Sequence, residues 1–299
     1  MNETPEPGRR DRELSRRTVL MAGGATAVAV GLGGALAVDA SADDDSTADI
    51  CYTLTSETVE GPYYIDADKI RQDVTEDQDG IPLTLTLKVI DAETCEPLKD
   101  AAVDIWHCNA GGVYSGYEAS GSGGGGGPAP TGTPSGTPTG IPTGTPTGAP
   151  PSGGPGGGGG GHQEPTDDSR YLRGTWRTGK RGYVTFRTVF PGWYQGRCVH
   201  IHVKVHVDGA WTDAGYEGGR ACHTGQLFFA EKAVLLTEDV EPYSANTTTR
   251  TTLDEDTIYP GNGHAGGLLH LTYDRRHIAR GVRARLTLGV APDETHDGS

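Results

Sequence analysis

Helical periodicity is scarce in this sequence. Outside a short stretch at residues 231–236, apolar side chains do not recur every three or four positions, which excludes a mostly helical fold. Positive charge is also in short supply: 25 Lys and Arg stand against 40 Asp and Glu, a formal net charge of −15. A chain this acidic is repelled by nucleic acid and anionic lipid, so neither is an expected partner. The five cysteines (Cys51, Cys95, Cys108, Cys198 and Cys222) include no pair at zinc-ligand spacing, which argues against a structural zinc site. Their odd number leaves at least one thiol unpaired or intermolecular, and Cys95 with Cys108 is the pairing expected within the chain. Long apolar runs are limited to one, residues 19–38.

That single run explains itself. It follows Ser15-Arg16-Arg17-Thr18-Val19-Leu20 and ends in small residues at Ala35-Leu36-Ala37 and Val38-Asp39-Ala40. Paired arginines, an apolar segment and a small-residue cleavage point read as a twin-arginine export signal over residues 1–40. The run is close to the ~20 residues that span a bilayer, but its Gly and Ala content makes it weakly hydrophobic, so cleavage is expected rather than anchoring. No membrane association is then expected of the mature protein, which would lie outside the cell, in the periplasm or on the wall. The first 40 residues carry five basic and five acidic side chains, so removing them leaves the charge at −15. Residues 41–52, with Asp43-Asp44-Asp45, read as an acidic N-terminal segment, and residues 292–299 as a disordered tail.

Between them, short runs rich in Val, Ile, Leu, Thr and aromatics alternate with turn residues. Strands are expected at 83–90, 102–107, 182–189, 199–207, 225–229, 268–273 and 284–290. Many short strands punctuated by Gly, Pro and Asp predict an all-β fold, an antiparallel β-sandwich with long loops over residues 53–291. A Gly/Pro/Thr-rich insert at 121–161 has too little apolar surface to offset its ordering entropy and is predicted to be disordered. Closing a longer loop costs only ~0.6 kcal/mol per doubling of length, so one sandwich tolerates it. Strand edges and Cys51 could support a homodimer, and nothing requires one.

The chemistry concentrates in Pro191-Gly192-Trp193-Tyr194-Gln195-Gly196-Arg197-Cys198-Val199-His200-Ile201-His202. Side chains two apart on a strand share a face, so His200 and His202 can address one metal ion while Ile201 packs the other way. Upstream, Trp106-His107-Cys108-Asn109-Ala110-Gly111-Gly112-Val113-Tyr114 places Tyr114 just beyond a strand end. Two phenolates with two imidazoles favour a trivalent, Lewis-acidic iron over zinc or copper. His206 lies four residues beyond His202, ~13 Å along a strand, too far for the same ion. His107 reads as structural, and His223, His264 and His270 carry no assignment.

Together these segments resemble the intradiol ring-cleavage dioxygenases, the family of catechol 1,2-dioxygenase and protocatechuate 3,4-dioxygenase, most closely its exported twin-arginine branch. The likeness runs through Glu60-Gly61-Pro62-Tyr63-Tyr64, Val103-Asp104-Ile105-Trp106-His107, Tyr171-Leu172-Arg173-Gly174 and the Tyr194–His202 segment. It implies Fe(III) held by Tyr114, Tyr194, His200 and His202, with Tyr194 the axial ligand that accepts a substrate proton. It further implies Arg197 and Gln226 as active-site residues and Pro62 as part of the catechol pocket. The implied reaction takes a catechol and O2 to a cis,cis-muconate-type dicarboxylate. Short Tyr194-to-His200 spacing and the insert after Tyr117 depart from cytoplasmic members and leave the choice of catechol open. Two rivals remain: an exported non-catalytic β-sandwich that binds aromatic polymers or sugars, and a zinc hydrolase built on His-x-His. The first must explain why both tyrosines, both histidines and Arg197 are present; the second needs a further His, Asp or Glu ligand.

Overall fold

A computed structural model describes residues 54–66, 69–120, 163–213, 215–263 and 266–298. The export signal, the acidic segment 41–52 and the insert 121–161 lie outside the described residues. No helix among the described residues is long and apolar enough to cross a membrane.

Two four-stranded sheets carry the fold. The first is ordered β4 (Tyr183–Val189), β1 (Pro82–Asp91), β10 (Val282–Val290), β9 (His270–Tyr273). The second is ordered β3 (Arg173–Arg177), β2 (Ala102–Trp106), β5 (His200–Val207), β8 (Arg220–Phe228). A two-residue pair, β6 (Ala210–Trp211) with β7 (Tyr216–Glu217), extends the β5–β8 connection. The predicted helical turn is a single short helix, α1 (Glu231–Val234).

Alternation of side chains drives the layering. Leu83, Leu85, Leu87 and Val89 of β1 face inward and join Val184, Phe186, Ala284, Leu286 and Leu288. From the second sheet, Val103, Ile105, Ile201, Val203 and Val205 enter the same buried cluster. Two apolar sheet faces closed on one another are a sandwich.

The expectation of a wholly antiparallel sandwich is corrected at one pair. β1 and β10 run parallel, Leu83 opposite Val282 through Asp91 opposite Val290. A parallel pair needs a long crossover, and here the rest of the domain supplies it. β3 was not expected as a strand. Leu172 precedes it at φ 56° and Gly174 is its second residue, both unfavourable for a strand, yet it pairs with β2 from Ala102 to Trp106. β8 begins five residues earlier than predicted, at Arg220. The Cys95–Cys108 pairing is also corrected: Cys95 is disulfide-bonded, whereas Cys108 is free and buried, as are Cys198 and Cys222.

The C-terminal tail, expected to be disordered, is held against the second sheet through residue 298. His296 N–H donates to Ala221 O, the Thr224 hydroxyl to His296 O, and Arg220 to Pro292 O. These contacts use backbone groups that side-chain composition does not reveal.

Candidate metal centre

The outer face of the second sheet is polar, yet it is buried. Cross-strand register sets Arg173, Trp106, His202 and Gln226 in one row and Thr175, Asp104, Lys204 and Thr224 in the next. All eight are buried. Loops and tail close over them: Thr58 N–H donates to Thr224 O, Gln226 Nε2 to Val59 O, and Lys204 pairs with Glu60 and donates to Asp297 O. Burying polar groups costs free energy unless they are partnered, so such a face needs a reason.

The four predicted ligands meet there. His200 Nε2 lies 3.1 Å from His202 Nε2 and 3.3 Å from the Tyr194 hydroxyl. The Tyr114 ring lies 5.8 Å from that of Tyr194 and 6.1 Å from that of His202, edge-on to both. Tyr194 arrives on the loop after β4, and Tyr114 on the loop after β2. The two loops touch because Gly112, at φ 83°, brings its backbone against Trp193. Gly192 N–H and Gly112 N–H both donate to Asn109 O.

Protonation follows from the neighbours. His200 Nδ1 is 2.7 Å from Cys198 O; a carbonyl only accepts, so Nδ1 carries the proton and Nε2 presents its lone pair. Burial, then the Arg197 cation, pushes His200 down to about 3. Burial and the His200 neighbour push His202 well below its ordinary range, so both rings are neutral, the ligating form. Burial raises Tyr114 well above an ordinary phenol, and the nearby Tyr194 adds to it. Burial also raises Tyr194, against the pull of Arg197.

The Tyr114 hydroxyl and His202 Nδ1 are buried without a hydrogen-bond partner. An orphaned phenol beside two neutral imidazoles fits a hard, trivalent cation, which would replace the missing partner. Metal–nitrogen bonds are about 2.0–2.1 Å, so nitrogens 3.1 Å apart reach one ion. Among the described residues, no group of three His, Cys, Asp or Glu could hold a metal ion. Among the described residues, a site on His200 and His202 draws on the phenol oxygens, and no further His, Cys, Asp or Glu joins them as the zinc-hydrolase reading requires.

Arg197 stands at the rim, its side chain 17% exposed. Its Nε donates to Asp256 at 2.9 Å and its Nη2 to Gln226 Oε1 at 2.5 Å. Burial would lower the guanidinium, but Tyr194 and Asp256 outweigh it and raise its pKa. Burial would also raise Asp256, but Arg197 and the Cys198 N–H hold that carboxyl far below the usual range. The structure thus brings Gln226 to Arg197 and, by register, opposite His202. Pro62 is half-buried beside Gly61, where an added Cβ would lie 3.3 Å from His202 Cε1.

The sequence did not single out Asp256, and gave Arg173, Tyr63 and Trp106 only as motif residues without a supporting role. Asp256 follows two other acids, Asp254 and Glu255, in a loop, with no spacing signal. Arg173 is buried and donates to Tyr63 O, the Ser115 hydroxyl and Ser115 O at 2.7–2.8 Å. Tyr63 stacks on Tyr114 at 4.8 Å, and Trp106 on His202 at 4.8 Å. The other histidines lie apart: His107 bonds Thr188 and Cys108 O, His206 packs near Tyr216, His223 pairs with Glu57, and His270 is exposed. His264 lies outside the described residues.

Comparison with known proteins agrees with this geometry. A family model described as dioxygenase matches residues 59–123. An intradiol ring-cleavage dioxygenase from Tetranychus urticae aligns at 28% identity and a TM-score of 0.61, over 82% of this chain and 98% of its own. The dioxygenase domain of a carbohydrate-binding fusion protein from Streptomyces sp. SirexAA-E aligns at 21% identity and a TM-score of 0.44, over 80% of this chain and 100% of its own. Curated protein sequences give no match. A dioxygenase family match across the segment that bears Tyr114, and an intradiol enzyme aligned over four fifths of this chain, make the chain similar to the intradiol ring-cleavage dioxygenases, a family of oxidoreductases.

Proposed function

We propose that the protein is an Fe(III)-dependent dioxygenase that opens a catechol between its two hydroxyl-bearing carbons with O2, giving a cis,cis-muconate-type dicarboxylate. The observation that carries this reading is the buried, unpartnered Tyr114 hydroxyl among Tyr194, His200 and His202. These four residues would hold the ion. Bound there, ferric iron would supply Lewis acidity that makes the aromatic ring reactive toward O2.

The chain's own residues do the rest. Held by the ion as tyrosinate, Tyr194 would have an oxygen able to take a phenolic proton from the substrate as general base. Arg197, fixed by Asp256 and Gln226, presents a permanent cation where negative charge develops on the ring, in the manner of an oxyanion hole. Gln226 holds that cation toward the site while its own amide is fixed on Val59 O. Pro62 and Gly61 border the catechol beside His202. Trp106 fixes the His202 ring by stacking.

The test is O2 uptake by the iron-loaded protein with catechol, protocatechuate and hydroxyquinol, using isotopically labelled O2. Two labelled atoms in one ring-opened dicarboxylate support the reading; no uptake with any of the three counts against it. The paired arginines Arg16 and Arg17 support export of the same protein by the twin-arginine route. Arg16→Lys/Arg17→Lys should then leave the protein inside the cell, and unchanged export would refute that route.

A further inference from the structure

The outer face of the first sheet has the opposite character to the metal face: it is open, and its central cross-strand rows carry no acid, with Asp73 and Asp274 at its margins. Register places Arg187, Thr84, Arg283 and Thr272 side by side in one cross-strand row. Thr185, Thr86, Arg285 and His270 form the next, and Tyr183, Lys88 and Thr287 a third. Every position in these rows is a cation, a histidine, a threonine or the single tyrosine. In a chain with a formal net charge of −15, three adjacent rows free of carboxylates are a marked local reversal of sign.

The cations there are largely uncommitted. Arg187 reaches Asp73 only at 4.0 Å, between exposed side chains, and such pairs contribute little. None of Arg283, Arg285 and Lys88 takes part in an ion pair among the described residues, and both arginines are exposed. Tyr183 is 47% exposed, with Lys88 and Arg181 each 5.9 Å from its ring centre. A depression of about 280 Å³ opens between Lys88, Tyr183, His270 and Arg285.

We propose that this face binds a linear anionic polysaccharide that carries carboxylates, a polyuronate, at a site separate from the metal centre. Charge complementarity selects a polyanion. Strands ~4.8 Å apart put Arg187 and Arg283, either side of Thr84, ~10 Å apart, and Arg283 and Arg285 ~7 Å apart along one strand. A flat array of cations at such intervals suits charges repeated along an extended chain. The threonine hydroxyls between them suit sugar hydroxyls, and Tyr183 offers one ring to a sugar face. Nucleic acid is disfavoured because single strands are held on several stacked aromatics, and this face has one. The inference does not depend on the identity of the metal or of the catechol.

The experiment is binding of polygalacturonate to the full chain at low and at high salt, with neutral galactan and inorganic polyphosphate as controls. The expected result is polygalacturonate binding that weakens with salt, exceeds both controls, and falls at least tenfold in Arg283→Gln/Arg285→Gln with melting temperature unchanged. Lys88→Gln/Arg187→Gln, on the neighbouring strands, should fall similarly and serves if the first pair misfolds. Absence of binding at low salt, galactan or polyphosphate bound as tightly, or undiminished binding by the folded variants would overturn the proposal.

Discussion

Gly112 and Gly196 have the same φ, 83°, and differ in their surroundings, so alanine at each separates torsional strain from steric contact. At Gly196 an added Cβ meets nothing within 4 Å. Gly196→Ala should therefore cost only the left-handed torsion, about 1–2 kcal/mol. At Gly112 the same Cβ would collide with the Trp193 carbonyl oxygen and lie 3.2 Å from Tyr194 Cβ. That oxygen belongs to backbone and cannot rotate away, so Gly112→Ala adds overpacking of about 1–3 kcal/mol. The expected total is about 2–5 kcal/mol, or roughly 4–20 °C in melting temperature for a domain this size, against roughly 2–8 °C for Gly196→Ala. The displaced atoms carry Tyr194, so iron content should fall in Gly112→Ala more than in Gly196→Ala. Thermal unfolding and iron analysis of both variants decide it. Equal losses would refute the reasoning that the Tyr114 and Tyr194 loops are locked together by close approach at Gly112.

Other substitutions probe the surrounding groups. Arg197→Ala should retain iron and lose much of kcat, since the guanidinium lies beside the ligand set rather than in it; iron loss would make Arg197 structural. Arg173→Gln removes donors to Tyr63 O and Ser115, which flank Tyr114. It should shift the tyrosinate-to-iron charge-transfer band expected of the iron-loaded protein and weaken iron retention, with Arg173→Lys partly restoring both; an unmoved band would separate Arg173 from Tyr114. Lys204 and Glu60 form an ion pair with side chains 6% and 5% exposed. Lys204→Met breaks this buried pair and should cost about 3–5 kcal/mol in urea unfolding, of which Lys204→Met/Glu60→Leu should recover a part. A single variant as stable as wild type would contradict that burial.

The sequence was most legible where periodicity was local. His200 and His202 share a face because a strand repeats every two residues, and the sandwich core follows from the same alternation in β1 and β10. Tyr114 and Tyr194 were legible as oxygen donors near the histidines, the roles of Arg197 and Gln226 came from family resemblance, and the structure brings all four to the histidines or to one another. Burial was less legible. His200-Ile201-His202-Val203-Lys204 alternates like a half-exposed strand, yet the whole stretch is buried because loops and tail cover its polar face. The parallel pairing of β1 with β10 joins residues about 200 apart and leaves no local signature. Asp256 is recognised only through the Arg197 and Cys198 groups it bonds, which lie in another part of the chain.

The measurement that bears most directly on the central claim is the visible absorption spectrum of the purified protein, before and after anaerobic addition of catechol. Two tyrosinates on ferric iron predict a broad charge-transfer band that shifts when catechol binds and is weakened or displaced in Tyr194→Phe. A protein that stays colourless after reconstitution with iron, or whose band ignores both catechol and Tyr194→Phe, would contradict the account.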